Sequence, residues 1–81
     1  VRMKFVVSIS LKESILDPQG EAISNSLESL GFDTINSIRQ GKIIEIDLRE
    51  NDLDSAKETV KRMCEKLLVN NVIENFSIKT E

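Results

Sequence analysis

The sequence predicts an α+β fold with the element order βαββαβ. Three observations lead to this order: apolar residues alternate near both ends of the chain, they recur at helical spacing in two internal segments, and capping and turn residues separate the segments. Two right-handed crossovers joined through a central hairpin then give a ferredoxin-like domain, with a four-stranded antiparallel sheet and two helices on one face. The chain is expected to form a single domain over residues 1–81.

The first strand and the first helix follow from a change of period at Asp17. The segment MKFVVSISL alternates apolar and polar residues, as a half-buried strand does. Asp17 is a good helix N-cap and Pro18 suits the first helical position. Gly31 is placed to end the helix in the left-handed conformation. Between these signals the predicted apolar stripe consists of Ile23, Leu27 and Leu30.

The middle of the chain predicts a β-hairpin. Its sequence, TINSIRQGKIIEIDLRE, has Gln40 and Gly41 at the turn, where Gly41 would supply a positive φ. We expect the helices to cover a sheet face formed by Phe5, Val7, Ile9, Ile44, Ile46 and Leu48. The opposite face, expected to meet solvent or another chain, contains Val6, Ser8, Ile43, Glu45 and Asp47.

A second helix and a last strand complete the predicted order. Asp52 is the expected N-cap of this helix, and Cys64 and Leu68 widen its narrow apolar seam. The seam itself consists of Leu53, Ala56, Val60, Met63 and Leu67. Asn70 and Asn71 end the helix, and VIENFSIK supplies the strand.

The composition indicates a small acidic domain with a thin margin of stability. Lys and Arg number 11 against 14 Asp and Glu, and the resulting net charge of −3 argues against nucleic acid as the main partner. No apolar run approaches the roughly 20 residues of a membrane span. The single cysteine fits a reducing, cytoplasmic location. With three Phe and no Trp or Tyr, the core must be aliphatic, and such small domains often gain stability by forming homo-oligomers.

Side chains with catalytic or metal-binding chemistry are scarce. The chain has no histidine, which is the usual general base and metal ligand. Cys64 lies beside the apolar seam and is interpreted as a buried structural thiol, because no partner base is in evidence. Glu45 and Asp47 share a strand face and could hold a divalent cation, but a solvated face is the preferred interpretation. The sequence therefore predicts no catalytic residue, no metal and no cofactor.

Two short segments raise the question of an anion site. RQGK places Arg39 and Lys42 at the predicted hairpin tip, as either an anion contact or a solvated turn. DPQG precedes a helix but has no lysine and no Gly-x-Gly pair, so we interpret it as a helix start. Gly20 is not explained by a helix start, since glycine in a first turn costs roughly 1 kcal/mol. Its presence suggests that another backbone or chain comes close.

Four segments together resemble one protein family. They are LDPQGEAI, SLESLGF, IRQGKIIEI and CEKLLVNNVIENFSI, in this order and spacing from about Met3 to Ile78. With them the chain is similar to the PurS family, the small subunits of phosphoribosylformylglycinamidine synthase in purine biosynthesis. One departure is Asn70-Asn71, where the family commonly has Asn-Pro, and this exchange puts the local rigidity in doubt.

The resemblance implies a non-catalytic role in a three-part enzyme. In the family, a synthetase subunit (PurL type) uses ATP to activate the amide oxygen of formylglycinamide ribonucleotide, and a glutaminase subunit (PurQ type) releases ammonia from glutamine. The small subunit bridges the two and helps to form or stabilise the ammonia path. Under this hypothesis, Gly20 would let a neighbouring subunit approach.

Helix starts and hairpin tips are exposed, so they are the places where partner contact is expected. The candidate partner-contact residues are Asp17, Pro18, Gln19, Gly20, Arg39, Gly41, Lys42 and Asn70. A homodimer and a homotetramer both remain open.

Two other classes share the βαββαβ order. A regulatory domain that binds a small metabolite is the main alternative, and saturable binding by the isolated protein would indicate it. An RNA-binding domain needs exposed strand aromatics and a basic surface. Phe5 and Phe76 are the strand aromatics here, and Phe5 falls on the predicted core face, which disfavours RNA.

Overall fold

The computed structural model describes residues 2–81, and its elements follow the order βαβαβ. A π-helical turn over Cys64–Leu68 continues the second helix. The elements are β1 (Arg2–Leu11), α1 (Pro18–Ser29), β2 (Gly41–Arg49), α2 (Leu53–Met63) and β3 (Glu74–Thr80). No helix in this part of the chain is long and apolar enough to cross a membrane.

The sheet has β1 at its centre, between antiparallel neighbours β2 and β3. Phe5 pairs with Ile46 on one side and with Thr80 on the other, which sets the register of the whole sheet. Because side chains alternate along each strand, this register places Phe5, Val7 and Ile46 on one face, as the sequence predicted.

The prediction of a hairpin with a fourth strand is wrong. Residues 34–40 form no strand in the structure, and Gly41 lies inside β2 opposite Ser10. The reason is a long-range contact: the backbone N–H of Gln40 donates to the Asp17 carboxylate at 2.6 Å. This bond holds the returning chain at the start of α1, so it does not run alongside β2.

The core forms where one side of α2 packs on the centre of the sheet. Phe5 and Val7 of β1 are fully buried, and so are Val60 of α2 and Cys64 of the π-helical turn. The predicted burial of the Cys64 thiol is thereby confirmed. The buried hydrophobic residues of the core are Phe5, Val7, Ile9, Ala56, Val60, Cys64 and Val69.

The end of α2 departs from the predicted seam. The π-helical turn is closed by the backbone N–H of Val69, which donates to the carbonyl of Cys64 at 3.0 Å. One extra residue in this turn rotates the side chains that follow it. Leu68 therefore faces the core while Leu67, predicted to be in the seam, is 84% exposed.

Helix α1 forms where the sequence predicted, but it does not lie on the sheet. Its N-cap Asp17, Pro18 at the first position and the left-handed Gly31 (φ +102°) are confirmed. Gly20 is the buried residue of this helix, whereas Ile23 and Leu30 are 41% and 74% exposed. The prediction that both helices cover one sheet face is therefore wrong for α1.

The molecule is long because α1 continues away from the sheet. A ten-residue strand spans about 34 Å and a twelve-residue helix about 18 Å, so the two placed end to end match the long dimension of 51 Å. The radius of gyration is 16.4 Å, against about 12 Å for a compact domain of this length. We call the projecting residues 18–40 the arm.

Candidate functional site

The predicted partner-contact residues meet at one end of the sheet. β1 ends there while β2 and β3 begin, since Ser10 pairs with Gly41 and Leu11 pairs with Glu74. The start and the end of the arm join the sheet at the same place. With Gln40 and Glu74, which the structure adds, the predicted residues form what we call the strand-end cluster: Asp17, Pro18, Gln19, Gly20, Arg39, Gln40, Gly41, Lys42, Asn70 and Glu74.

Asp17 joins the two ends of the arm. One carboxylate oxygen accepts from the N–H of Gly20 at 3.0 Å, and the other accepts from the N–H of Gln40 at 2.6 Å. The Gln40 N–H and then the Gly20 N–H lower the pKa of the Asp17 carboxyl below its ordinary value, and the charge of Arg39 acts in the same direction. The carboxylate is thus a structural clamp.

Gly20 is present because the chain's own backbone approaches it. A Cβ at this position would lie 2.4 Å from the carbonyl oxygen of Ile38, far inside contact distance. The returning end of the arm therefore packs directly over the first turn of α1. The close approach expected from the sequence is found, and Ile38 of the same chain makes it.

Arg39 is occupied by the segment that leaves β1. Its guanidinium donates to the carbonyl of Lys12 at 2.9 Å and to that of Leu11 at 3.4 Å. The side-chain amides of Gln40 and Gln19 form a further bond across the arm at 2.5 Å. Arg39 thus ties the base of the arm to the segment that leaves β1.

Lys42 and Asn70 meet at Glu74, on the outer side of the cluster. The Lys42 ammonium lies 3.7 Å from one Glu74 carboxylate oxygen, and the other oxygen accepts from the Asn70 N–H at 2.7 Å. The Asn70 side chain accepts from the N–H of Val72 at 3.1 Å and closes the turn before β3. Lys42 stays largely exposed, so it is available to a partner.

Asn71, where the resemblance to the family led us to expect proline, has a contact of its own. Its side-chain amide donates to the carbonyl of Glu65, in the π-helical turn, at 3.2 Å. Proline has no such side-chain donor. This bond constrains the turn that proline would otherwise stiffen.

An apolar groove beside α2 was missed as a site by sequence reasoning. It has a volume of about 470 Å³ and lies between α2 with its π-helical turn and the inner face of β2. Arg62 and Lys66 stand at the groove, and the apolar lining is Ile44, Ile46, Met63, Leu67 and Leu68. The signal was present in the strand periodicity, because Ile44 and Ile46 were predicted to lie under a helix.

Cys64 and Asp47, two side chains that the sequence offered for chemistry, have structural surroundings: one is buried and the other is paired with Arg2. Burial, and secondarily the charge of Glu65, raises the pKa of the Cys64 thiol, so it stays protonated and unreactive. Asp47 is paired with Arg2, whose Nε lies 3.0 Å from the carboxylate and lowers its pKa. Among residues 2–81, no three His, Cys, Asp or Glu side chains are arranged to hold a metal ion.

Comparison with known sequences decides the family. The sequence model of the PurS family, described as phosphoribosylformylglycinamidine (FGAM) synthase, matches residues 4–81. The chain belongs to the PurS family. Phosphoribosylformylglycinamidine synthase subunit PurS of Bacillus subtilis is 44% identical over 78 residues, which cover 96% of this chain and 92% of that protein. As a PurS-family member, the chain is a subunit of the glutamine-dependent ligase phosphoribosylformylglycinamidine synthase, in purine biosynthesis.

Solved PurS structures share the fold. PurS from Methanocaldococcus jannaschii, one of the subunits of formylglycinamide ribonucleotide amidotransferase, is 39% identical, with a TM-score of 0.86 and coverage of 98% of this chain and 95% of that one. A chain in the structure of PurLQS from Thermotoga maritima is 30% identical, with a TM-score of 0.91 and coverage of 100% and 99%. The arm is more than a quarter of this chain, so an overlay of that quality includes it. The PurS fold therefore carries a projecting arm.

Proposed function

We propose that the chain bridges the glutaminase and the ATP-dependent synthetase of phosphoribosylformylglycinamidine synthase and supports ammonia transfer between them, without catalysing a step itself. The observation that carries the proposal is the match over the full chain to a subunit seen in a PurLQS structure. The absence of histidine from the sequence and the buried, protonated Cys64 agree with a non-catalytic role.

The shape of the molecule suits a bridge. It extends 51 Å in one direction but only 15 Å in another, so its two ends can contact different subunits. Free ammonia is protonated at neutral pH and escapes to solvent. A subunit that holds the two active sites in fixed positions relative to each other therefore reduces the loss of ammonia between them. Such a subunit acts by stabilising the coupled arrangement of the others.

The strand-end cluster is the proposed contact region, and its members divide into two kinds. Pro18, Gln19, Lys42 and Asn70 are exposed and are proposed to touch a partner subunit. The remaining sequence candidates hold the geometry of the arm base, through the hydrogen bonds of Asp17 and Arg39 and the close packing at Gly20 and Gly41.

We further propose that the chain works as a homodimer or homotetramer in the cytoplasm. Large apolar side chains remain exposed along the arm, including Leu30 at 74% and Phe32 at 58%. An apolar surface of this kind on a small domain is typical of an interaction site. The elongated shape also leaves the groove beside α2 open to another chain.

Reconstitution tests the proposed function. The matching synthetase and glutaminase subunits would be purified alone, and product formation compared with glutamine or with high ammonium as nitrogen donor, with and without this chain. We expect glutamine-driven synthesis to require the chain and ammonium-driven synthesis to be independent of it. Unchanged rates with both donors, together with no complex in gel filtration, would contradict the proposal.

A further inference from the structure

The arm is attached to the rest of the chain at its base. Helix α1 has little contact with the strands or with α2, and its buried residue is Gly20, in the first turn. The twelve residues of α1 extend about 18 Å from this base. A rotation of about 10° at the base would therefore move the far end of the helix by about 3 Å. The direction of the arm relative to the sheet thus depends on how firmly its base is held.

Two of the contacts at the base hold its ends together only weakly. Ile38, at the returning end, packs over Gly20, and this packing limits how closely the two ends can approach without attracting them to each other. The side-chain amide of Gln40 donates to that of Gln19 at 2.5 Å, but both residues are exposed, so water competes for the bond. A stronger attraction is needed to keep the arm in one direction.

Asp17 supplies this attraction. Its side chain is 6% exposed, and its carboxylate accepts from the N–H of Gly20 in α1 and, at 2.6 Å, from the N–H of Gln40 just before β2. A hydrogen bond to an ionised acceptor is roughly twice as strong as one between neutral groups. Arg39 adds an attractive charge and donates to the carbonyl of Lys12, so the returning end is also tied to the segment that leaves β1.

The other helix cap shows which bond of Asp17 is unusual. Asp52 caps α2 by accepting from the N–H of Ser55 at 3.1 Å, three residues ahead, just as Asp17 accepts from Gly20. The bond of Asp17 to Gln40 spans 23 residues and has no part in capping a helix. This second bond therefore serves the arm and not the helix.

We propose that Asp17 is a positioning residue for glutamine-dependent synthesis: its carboxylate fixes the angle between the arm and the sheet, and this angle sets the relative placement of the subunits that the chain bridges. The inference rests on the proposed bridging function and names the group that gives the bridge its shape. A chain whose arm rotates at its base still joins the complex. It aligns the two active sites less well, so ammonia released from glutamine escapes before it reacts.

The angle is tested first in the chain itself, with spin labels on the pair Ser26→Cys in α1 and Ser77→Cys in β3. Both positions are exposed, whereas the Cys64 thiol is buried and protonated and stays unlabelled. Pulsed electron paramagnetic resonance measures the distance between the labels, with labelled chain diluted into unlabelled chain so that pairs within one chain dominate. We expect Asp17→Asn to broaden the distance distribution at least twofold. The matched control Asp52→Asn should leave its width unchanged.

The coupling is tested in the reconstituted complex. Glutamate and product are measured together, and their ratio reports the ammonia lost between the active sites. We expect Asp17→Asn to raise this ratio at least threefold and to leave ammonium-driven synthesis unchanged, while Asp52→Asn behaves like the unaltered chain. Val60→Ala, in the core, controls for a loss of stability alone. Circular dichroism verifies that each variant is folded at the assay temperature.

The outcomes separate this inference from the bridging function. If Asp17→Asn and Asp52→Asn give equally narrow distances or equal ratios, the inference is overturned and the bridging function stands. A rise in the ratio of the same size with Val60→Ala assigns the effect to stability and also overturns the inference. If the unaltered chain does not support glutamine-driven synthesis, the bridging function fails and the role of Asp17 in synthesis fails with it, while the distances still decide whether Asp17 fixes the arm.

Discussion

The carboxylate of Asp17 connects residues that are far apart in the sequence. It caps α1 through Gly20 and also holds Gln40 at the far end of the arm. An ionised carboxylate offers one acceptor oxygen to each of these two donors. At the scale of single residues, the base of the arm depends on this group.

We expect Asp17→Asn to destabilise the protein, because the asparagine oxygen can accept from Gly20 while its amide nitrogen cannot accept from Gln40. The pKa of Asp17 is lowered by folding, so its contribution is complete above its ordinary pKa of about 3.9 and is lost as the pH falls through the folded value. The difference in urea midpoint between the two proteins should be largest near pH 7 and shrink below about pH 4.

Asp17→Ala is the matched control, since it removes the helix cap as well and should unfold at a lower midpoint than Asp17→Asn at pH 7. Equal midpoints for Asp17→Asn and the unaltered chain at pH 7 would contradict the clamp.

Sequence reasoning at this scale found the local bonds and missed the distant ones. The N-caps Asp17 and Asp52 were predictable because an N-cap accepts from an N–H only a few residues ahead. The bond to Gln40 joins residues 23 positions apart, and no local pattern marks it. For the same reason the bonds of Arg39 to its own chain and the identity of the backbone that approaches Gly20 were not predicted. Contact of either residue with a partner subunit stays a prediction.

Helix α2 is the element that holds the core together. Ala56 and Val60 are fully buried and lie on the same helix face, one turn apart. The other side of α2 is charged, which keeps that face in solvent. The sheet and α2 together should therefore carry most of the stability of the single chain.

Shortening a buried side chain of α2 tests this. We expect Val60→Ala to lower the free energy of unfolding by about 2–3 kcal/mol, because it leaves a cavity among fully buried neighbours. The control Val72→Ala, at a side chain that is 79% exposed, should change it by about 0.5 kcal/mol or less. If urea unfolding shows the same decrease in the free energy of unfolding for both variants, α2 does not organise the core.

The elements were predictable one by one, with two exceptions. Helix and strand periods identified both helices, β1, β2 and β3, since each period depends on neighbouring residues alone. The π-helical turn was not predictable, and it moved Leu67 out of the seam. The fourth strand was predicted from a turn at Gly41, but the clamp at Gln40 prevents that turn.

At the scale of the whole molecule, the elongated shape implies that the stability of the protein depends on association between chains. The radius of gyration of 16.4 Å shows that much of α1 is not packed on the body of the chain. The free energy of unfolding should rise when a second copy covers the apolar surface that the single chain leaves exposed.

We therefore expect the melting temperature to rise with protein concentration, because mass action stabilises the associated state. Differential scanning calorimetry over a hundredfold range of concentration would measure this rise. The Leu30→Glu variant should show a much smaller dependence, since it places a charge in the exposed apolar stripe of α1. A melting temperature of the unaltered chain that does not depend on concentration would contradict the association.

The sequence by itself determined the local elements, their caps, the apolar face of each strand and the family. These depend on contacts between residues a few positions apart, or on motifs that can be compared directly. Only the tertiary structure decided where α1 lies, how many strands the sheet has and what approaches Gly20. Those features follow from Asp17–Gln40 and Gly20–Ile38, contacts between distant residues whose partners no periodicity can specify.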